Sequence, residues 1–83
     1  MNFEVSFKNM RPREEIRRRA AALHGKLERF LEPASDATLI VSRQHGVTVV
    51  ELTQTAHGQT YQASDEDEDL RTALDRCFHK VET

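Results

Sequence analysis

Residues Pro12–Leu31, PREEIRRRAAALHGKLERFL, form the longest helical pattern in the chain, and the other elements are arranged around it. Its apolar side chains recur at helical spacing and form one face, made of Ile16, Ala20, Leu23, Leu27, Phe30 and Leu31. A separate basic stripe on the helix carries Arg18, Arg19, Lys26 and Arg29. Pro12 suits a first helical turn, and Pro33 ends the pattern. We expect the apolar face to build a core and the basic stripe to contact a partner.

Alternating apolar and polar residues on either side of this helix predict four strands. The first is Asn2–Lys8, and the others are Asp36–Gln44, Val47–Ala56 and Gln59–Ser64. The inward positions are Phe3, Val5, Phe7, Ala37, Leu39, Val41, Val50, Leu52, Ala56, Tyr61 and Ala63. A second helix is predicted over Asp65–Val81, beginning near Glu66 or Asp67, and its apolar face holds Leu70, Ala73, Leu74, Cys77, Phe78 and Val81.

The order β-α-β-β-β-α indicates an α+β fold in one domain spanning residues 1–83. A right-handed crossover makes the first two strands parallel, and two hairpins with His-Gly turns make the other pairs antiparallel. We therefore expect a four-stranded mixed sheet in the order 1-2-3-4 with both helices packed on one face. The opposite face is expected to be exposed and carries Glu4, Ser6, Thr38, Ile40, Ser42, Glu51, Thr53, Gln62 and Ser64.

Charge is distributed unevenly along the 83 residues, although the net charge is only −2. Eight of the twelve Lys and Arg lie between Lys8 and Arg29, and five of the fourteen acids lie in Asp65–Asp69. The single cysteine, Cys77, excludes an internal disulfide and fits a reducing compartment. With no apolar run near 18 residues and a strand pattern from the first residues, we expect a cytoplasmic protein with neither signal peptide nor membrane span.

No pattern of reactive side chains points to catalysis, so we predict no enzyme and no cofactor. The acidic run lacks the Gly and the distal Glu of a calcium loop, and helix capping is the commoner role for such residues. The histidines lie in turns and on separate helices without metal-ligand spacing, namely His24, His45, His57 and His79. We assign these to surface and turn positions, Cys77 to the core, and predict no metal site.

Several short motifs, in order along the chain, resemble the ribosome hibernation factors, also called ribosome-associated inhibitor, protein Y or sigma-factor modulation proteins. Gly25–Phe30 is similar to the family's A-K-L-E-[KRQ]-[YF], and Gln62–Ser64 followed by acids is similar to H-A-S-x-[ED]. Asp69–Asp75 resembles D-[ML]-Y-x-A-[IL]-D, and His79–Glu82 resembles D-K-[LI]-x. Of two lysines common in the family's first helix only Lys26 matches, because Leu23 occupies the other position.

The resemblance implies a fold similar to double-stranded RNA-binding domains and a factor that binds small-subunit rRNA and restrains translation under stress or in stationary phase. It places the RNA contacts on basic residues of both helices, here Arg18, Arg19, Lys26, Arg29 and Lys80. Because the sequence ends soon after Lys80, we expect the first helix to carry most of the contact. No DNA-reading helix pattern is present, so recognition of RNA shape and backbone is expected.

Two other interpretations of the sequence remain open. The basic stripe also fits a solvated helix face with internal pairs, because Glu15 and Arg19 have the favourable i, i+4 order. A protein-interaction module that kept the fold but lost RNA binding is the alternative function. It would pair through an exposed edge strand, the first or the fourth, and this includes a homodimer.

Overall fold

The computed structural model describes residues 2–27, 36–56 and 58–82. Its elements follow the predicted order: β1 (Asn2–Lys8), α1 (Glu14–Leu27), β2 (Asp36–Gln44), β3 (Val47–Ala56), β4 (Gln59–Asp67) and α2 (Leu70–Glu82). Several predicted features lie outside the described residues, namely Arg29, Phe30, Leu31, His57 and the side chains of Leu27, Ala56 and Val81.

The four strands form one sheet in the order β1-β2-β3-β4, which confirms the predicted topology. β1 and β2 are parallel, with Val5 opposite Leu39, and the two hairpins are antiparallel. At the β2–β3 turn, His45 and Gly46 have φ angles of 52° and 79°. A two-residue type I′ hairpin turn requires positive φ at both positions, which explains the glycine here and fixes the register of the two strands.

Both helices cover the same face of the sheet, α1 beside β1 and α2 above β3 and β4. The core between helices and sheet is aliphatic with one buried phenylalanine, and consists of Ile16, Ala20, Ala37, Leu39, Val41, Val50, Leu52, Leu70, Ala73, Leu74, Cys77 and Phe78. Phe3, Val5 and Phe7 of the edge strand pack against this core while half-buried. Burial of alternate strand residues and of one stripe on each helix thus holds the fold together.

The boundary between β4 and α2 differs from the prediction, because the strand continues to Asp67 and the helix begins only at Leu70. Asp65 and Asp67 pair with Val50 and Thr48 of β3, which is long enough to extend the ladder. Asp69 then caps the helix: its carboxylate accepts hydrogen bonds from the backbone N–H of Thr72 at 3.3 Å and from the Thr72 hydroxyl at 2.7 Å.

Two smaller predictions were wrong, and a third was correct only for the direction of a side chain. α1 begins at Glu14 rather than Pro12, and the carbonyl of Arg13 accepts its first backbone hydrogen bonds. Tyr61 lies on the helix side opposite Gln54 but is 40% exposed, because it sits on an edge strand. Ser42, expected to be open, is only 8% exposed, since Lys8 and Val49 flank it on neighbouring strands.

Candidate nucleic-acid interface

The outward face of α1 carries two exposed cations, Arg18 and Lys26. Within the described parts of the chain, neither side chain forms a hydrogen bond or an ion pair. They are eight residues apart, which places them about 12 Å apart along the axis and on one side of the helix. Exposed Ala22 lies between them. This face therefore offers two unneutralised positive charges with no bulky side chain between them.

Arg19, predicted to belong to the same stripe, forms an ion pair that joins the two helices. Its guanidinium donates to both oxygens of Asp75 on α2, Nε to Oδ1 at 3.0 Å and Nη2 to Oδ2 at 2.7 Å. Those hydrogen bonds and the carboxylate charge raise the pKa of the Arg19 guanidinium further. One turn earlier, Arg71 donates to Glu15 at 3.3 Å. The partners advance together, so the helices run in the same direction and share a charged ladder.

Lys80, the predicted site residue on α2, is bound to β4. Its Nζ donates to the Ser64 carbonyl at 2.7 Å and lies 3.2 Å from Oδ2 of Asp65. Arg76, one turn earlier, pairs with Asp67 and lies 3.7 Å from Oδ1 of Asp65. Partial burial raises the pKa of the Asp65 carboxyl, but the hydrogen bond from Lys80 and the nearby cations outweigh it, so the pKa lies below its ordinary value.

On each edge strand of the sheet, a backbone carbonyl accepts a hydrogen bond from a basic side chain of the overlying helix. Arg17 donates to the carbonyl of Val5 on β1 at 3.1 Å, and its guanidinium carbon lies 5.4 Å from the centre of the Phe7 ring. On β4, the Ser64 carbonyl is held by Lys80. An incoming strand pairs with free backbone groups of an edge, so these contacts obstruct strand addition at Val5 and Ser64.

His24 is buried, which contradicts its predicted surface position. It is 2% exposed, stacks on Phe3 with ring centroids 4.4 Å apart, and its Nε2 lies 3.2 Å from Oε1 of Gln54. The spacing of His24 from Ile16 and Ala20 on the apolar stripe was the signal that could have revealed this. The residue thus belongs to the core rather than to a binding surface.

Cys77 is fully buried, as predicted, and burial raises the pKa of its thiol to about 11. The thiol is therefore protonated at neutral pH and is a poor nucleophile. Among residues 2–27, 36–56 and 58–82, no three His, Cys, Asp or Glu side chains are grouped to hold a metal ion. None of the helices in these ranges has the length and apolarity needed to cross a membrane.

Residues 3–83 match the family described as Sigma 54 modulation protein / S30EA ribosomal protein. The fold is similar to that of the Protein Y N-terminal domain of Thermus thermophilus, with a TM-score of 0.90 and 23% identity over 99% of this chain and 92% of that one. It is also similar to a ribosomal subunit interface protein from Coxiella burnetii, with a TM-score of 0.78 and 21% identity over 99% and 90% of the two chains. No curated protein sequence matches the chain.

Proposed function

Because the chain belongs to the family of Sigma 54 modulation proteins and S30EA ribosomal proteins, we propose that it binds small-subunit rRNA and restrains translation under stress or in stationary phase. We propose this as a non-enzymatic role in the cytoplasm. The observation that carries the proposal is the pair of exposed cations on α1, Arg18 and Lys26, which have no anionic partner within the described protein. Phosphate is the anion that rRNA offers to such a surface at regular intervals.

The open face of the sheet supports an orientation with α1 toward the RNA. Glu4, Glu51 and Glu66 are exposed there, and none forms an ion pair with another described residue. The carboxylates on β1, β3 and β4 outnumber Lys8, which lies on the same face, so phosphate approaching the open face meets a net negative charge. The two faces of the domain therefore have opposite preferences, and the helix side is the one suited to a polyanion.

The predicted RNA-binding residues divide into two groups. Arg18 and Lys26 are available to bind phosphate as the protein stands. Arg19 and Lys80 already bind carboxylates of the protein, so in this proposal they contribute only when those pairs open. Arg29 lies outside the described residues, so its role stays a prediction and it is not counted among the contacts below.

The alternative is a module that pairs through an edge strand, including a homodimer. The Arg17 and Lys80 contacts on the two edge strands oppose it, and so do the acids at the end of β4, because charged edges resist strand addition. Sedimentation equilibrium distinguishes the two functions. A dimer that persists when Arg18 and Lys26 are reversed would favour the alternative.

The test is co-sedimentation of the full chain with purified small ribosomal subunits at about 50 to 200 mM salt. We expect log K to fall with log salt with a slope of about −1.4, given about −0.7 for each of two phosphate contacts. Arg18→Glu/Lys26→Glu should abolish co-sedimentation. The matched control is Lys8→Glu/Arg43→Glu, which changes the net charge equally at exposed strand positions and should still bind.

Two results would contradict the proposal. One is failure of the unmodified chain to co-sediment at the lowest salt. The other is an equal loss of binding in the α1 variant and in the strand control, which would assign the interaction to overall charge instead of to α1. Inhibition of translation in a purified system, lost in the α1 variant alone, would complete the assignment.

A further inference from the structure

The two cations on the β4 side of α2 are held by carboxylates of the same chain. Arg76 and Lys80 are one helical turn apart and share Asp65, whose oxygens lie 3.7 Å from Arg76 Nη1 and 3.2 Å from Lys80 Nζ. Arg76 also pairs with Asp67. The Asp65 side chain is only 10% exposed, whereas the two cations are about half exposed. Asp65 thus lies beneath the two cations, which face solvent, and Asp67 is intermediate, with its side chain 31% exposed.

Successive acids at the end of β4 point to opposite faces of the sheet. Asp65 and Asp67 face α2, because they lie opposite Val50 and Thr48 on the helix-covered side. Glu66 points to the other side and forms no ion pair with any described residue, and neither does Glu68 beyond the strand. Successive side chains of a strand alternate between its faces. Of the five acids, two are therefore placed to bind cations of α2, two are not, and Asp69 caps the helix.

Carboxylate and phosphate bind Arg and Lys through the same charge-assisted hydrogen bonds. An RNA backbone that reaches α2 must therefore compete with Asp65 and Asp67 for the two cations. Pairs between partly exposed side chains are individually weak, so displacement is feasible, but it cancels most of what the new phosphate contact would contribute. It also changes the salt dependence, because the freed carboxylates take up cations from solution while the phosphates release theirs.

We propose that the acidic end of β4 is an autoinhibitory element, in which Asp65 and Asp67 compete with RNA phosphate for Arg76 and Lys80. This inference rests on the proposed function for its partner, the rRNA backbone. Binding begins at α1, where Arg18 and Lys26 form no ion pair with a described residue. The RNA-binding surface extends to α2 only where the phosphates outcompete the two carboxylates, so β4 sets how tightly the protein is held.

The test compares two double variants of the full chain that change the net charge equally. Asp65→Asn/Asp67→Asn removes the competing charges, and Glu66→Gln/Glu68→Gln removes the two acids that pair with nothing described. Dissociation constants are measured against small ribosomal subunits and against an oligouridylate across a salt series. We expect the first variant to bind about tenfold tighter, with a slope steeper by about 1.4, since two more phosphate contacts release counterions. The control should change by less than about twofold.

A second pair of substitutions separates the inference from folding effects. Adding Arg76→Gln/Lys80→Gln to Asp65→Asn/Asp67→Asn should return both affinity and slope to the values of the unmodified chain, and circular dichroism reports whether each variant is folded. Equal tightening in the two acidic double variants, or none in either with both probes, overturns the inference. If no variant binds ribosomal subunits but Asp65→Asn/Asp67→Asn alone gains affinity for oligouridylate, the proposed function fails and the competition stands.

Discussion

The two helices of this domain lie side by side and in the same direction, and each presents cations to solvent, yet their surroundings differ. α1 lies beside β1, and its outward cations, Arg18 and Lys26, form no ion pair with any described residue. α2 lies beside β4, whose acidic end holds Arg76 and Lys80. A count of basic residues therefore overstates the positive charge that α2 offers to a polyanion, because the balance of neighbouring charges decides which cations are available.

Charge reversal on each helix gives the largest expected difference. Arg18→Glu/Lys26→Glu should weaken binding to small subunits by about 100-fold, because each charge-assisted contact contributes about 1.5 kcal/mol. The unfolding free energy of this variant should stay within about 0.5 kcal/mol of that of the unmodified chain. Arg76→Glu/Lys80→Glu should weaken binding by less than about tenfold. It should lower the unfolding free energy, because the new glutamates face Asp65 and Asp67.

Binding titrations and urea unfolding of both reversal variants check this contrast. Equal losses of affinity would show that α2 contacts RNA as strongly as α1 does. An unchanged unfolding free energy in the α2 variant would show that its ties to β4 contribute nothing to stability.

The buried face of α1 offers the next largest effect. His24→Ala should lower the unfolding free energy by about 2 kcal/mol, because it leaves the buried amide of Gln54 without its partner and opens a cavity beside Phe3. The double variant His24→Leu/Gln54→Leu should lose less unfolding free energy than the sum of the losses in His24→Leu and in Gln54→Leu. Urea denaturation measures all of these. Additive losses would mean that the two side chains do not interact.

Acid should weaken the capped and paired end of α2. Hydrogen bonds from Thr72 lower the pKa of the Asp69 carboxyl, and the contact with Lys80 helps to lower that of Asp65, both from an ordinary 3.8. A depressed pKa in the folded state adds stability above the ordinary pKa, which is lost as the pH falls through the folded value. The unfolding free energy should therefore decline below about pH 4, and less steeply in Asp65→Asn/Asp69→Asn. Urea unfolding at pH values from about 6 to 3 tests this, and parallel curves would contradict it.

Gly25 on the exposed side of α1 gives the smallest expected change. A Cβ built at this position meets no atom within 4 Å, so nothing in the described fold needs the glycine. Gly25→Ala should raise the unfolding free energy by about 0.5 to 1 kcal/mol through helix propensity. RNA affinity should be unchanged within about twofold if contact is made by the cations and not by close backbone approach. A tenfold loss would point to such an approach.

The sequence predicted the element order and the sheet topology because alternation, turn glycines and helical spacing are local signals. The end of β4 was mispredicted for the opposite reason. Aspartates are poor strand residues, and two of them are accommodated here by cations that arrive later, on α2. Their strand conformation is therefore a tertiary effect that local propensity does not contain.

The candidate site, too, has features that the local sequence predicts and features that depend on tertiary packing. Helical spacing alone predicted that Arg18 and Lys26 would face away from the core. It did not predict that Arg19 would bind Asp75, 56 residues away, because that contact depends on how the two helices pack. For His24 the local signal was present, since it lies on the apolar stripe, but a histidine was assumed to be polar and exposed.

We propose that α1, and not the open face of the sheet, contacts rRNA. A tethered iron chelate that generates hydroxyl radicals tests it directly, attached at Ala22→Cys on α1 or at Gln62→Cys on the open face. Cys77 does not interfere, because it is buried and its thiol is protonated at neutral pH. In complexes with small ribosomal subunits, the chelate at position 22 should cleave rRNA strongly and at defined sites. The chelate at position 62 should cleave it only weakly. Strong cleavage from position 62 and none from position 22 would contradict the account.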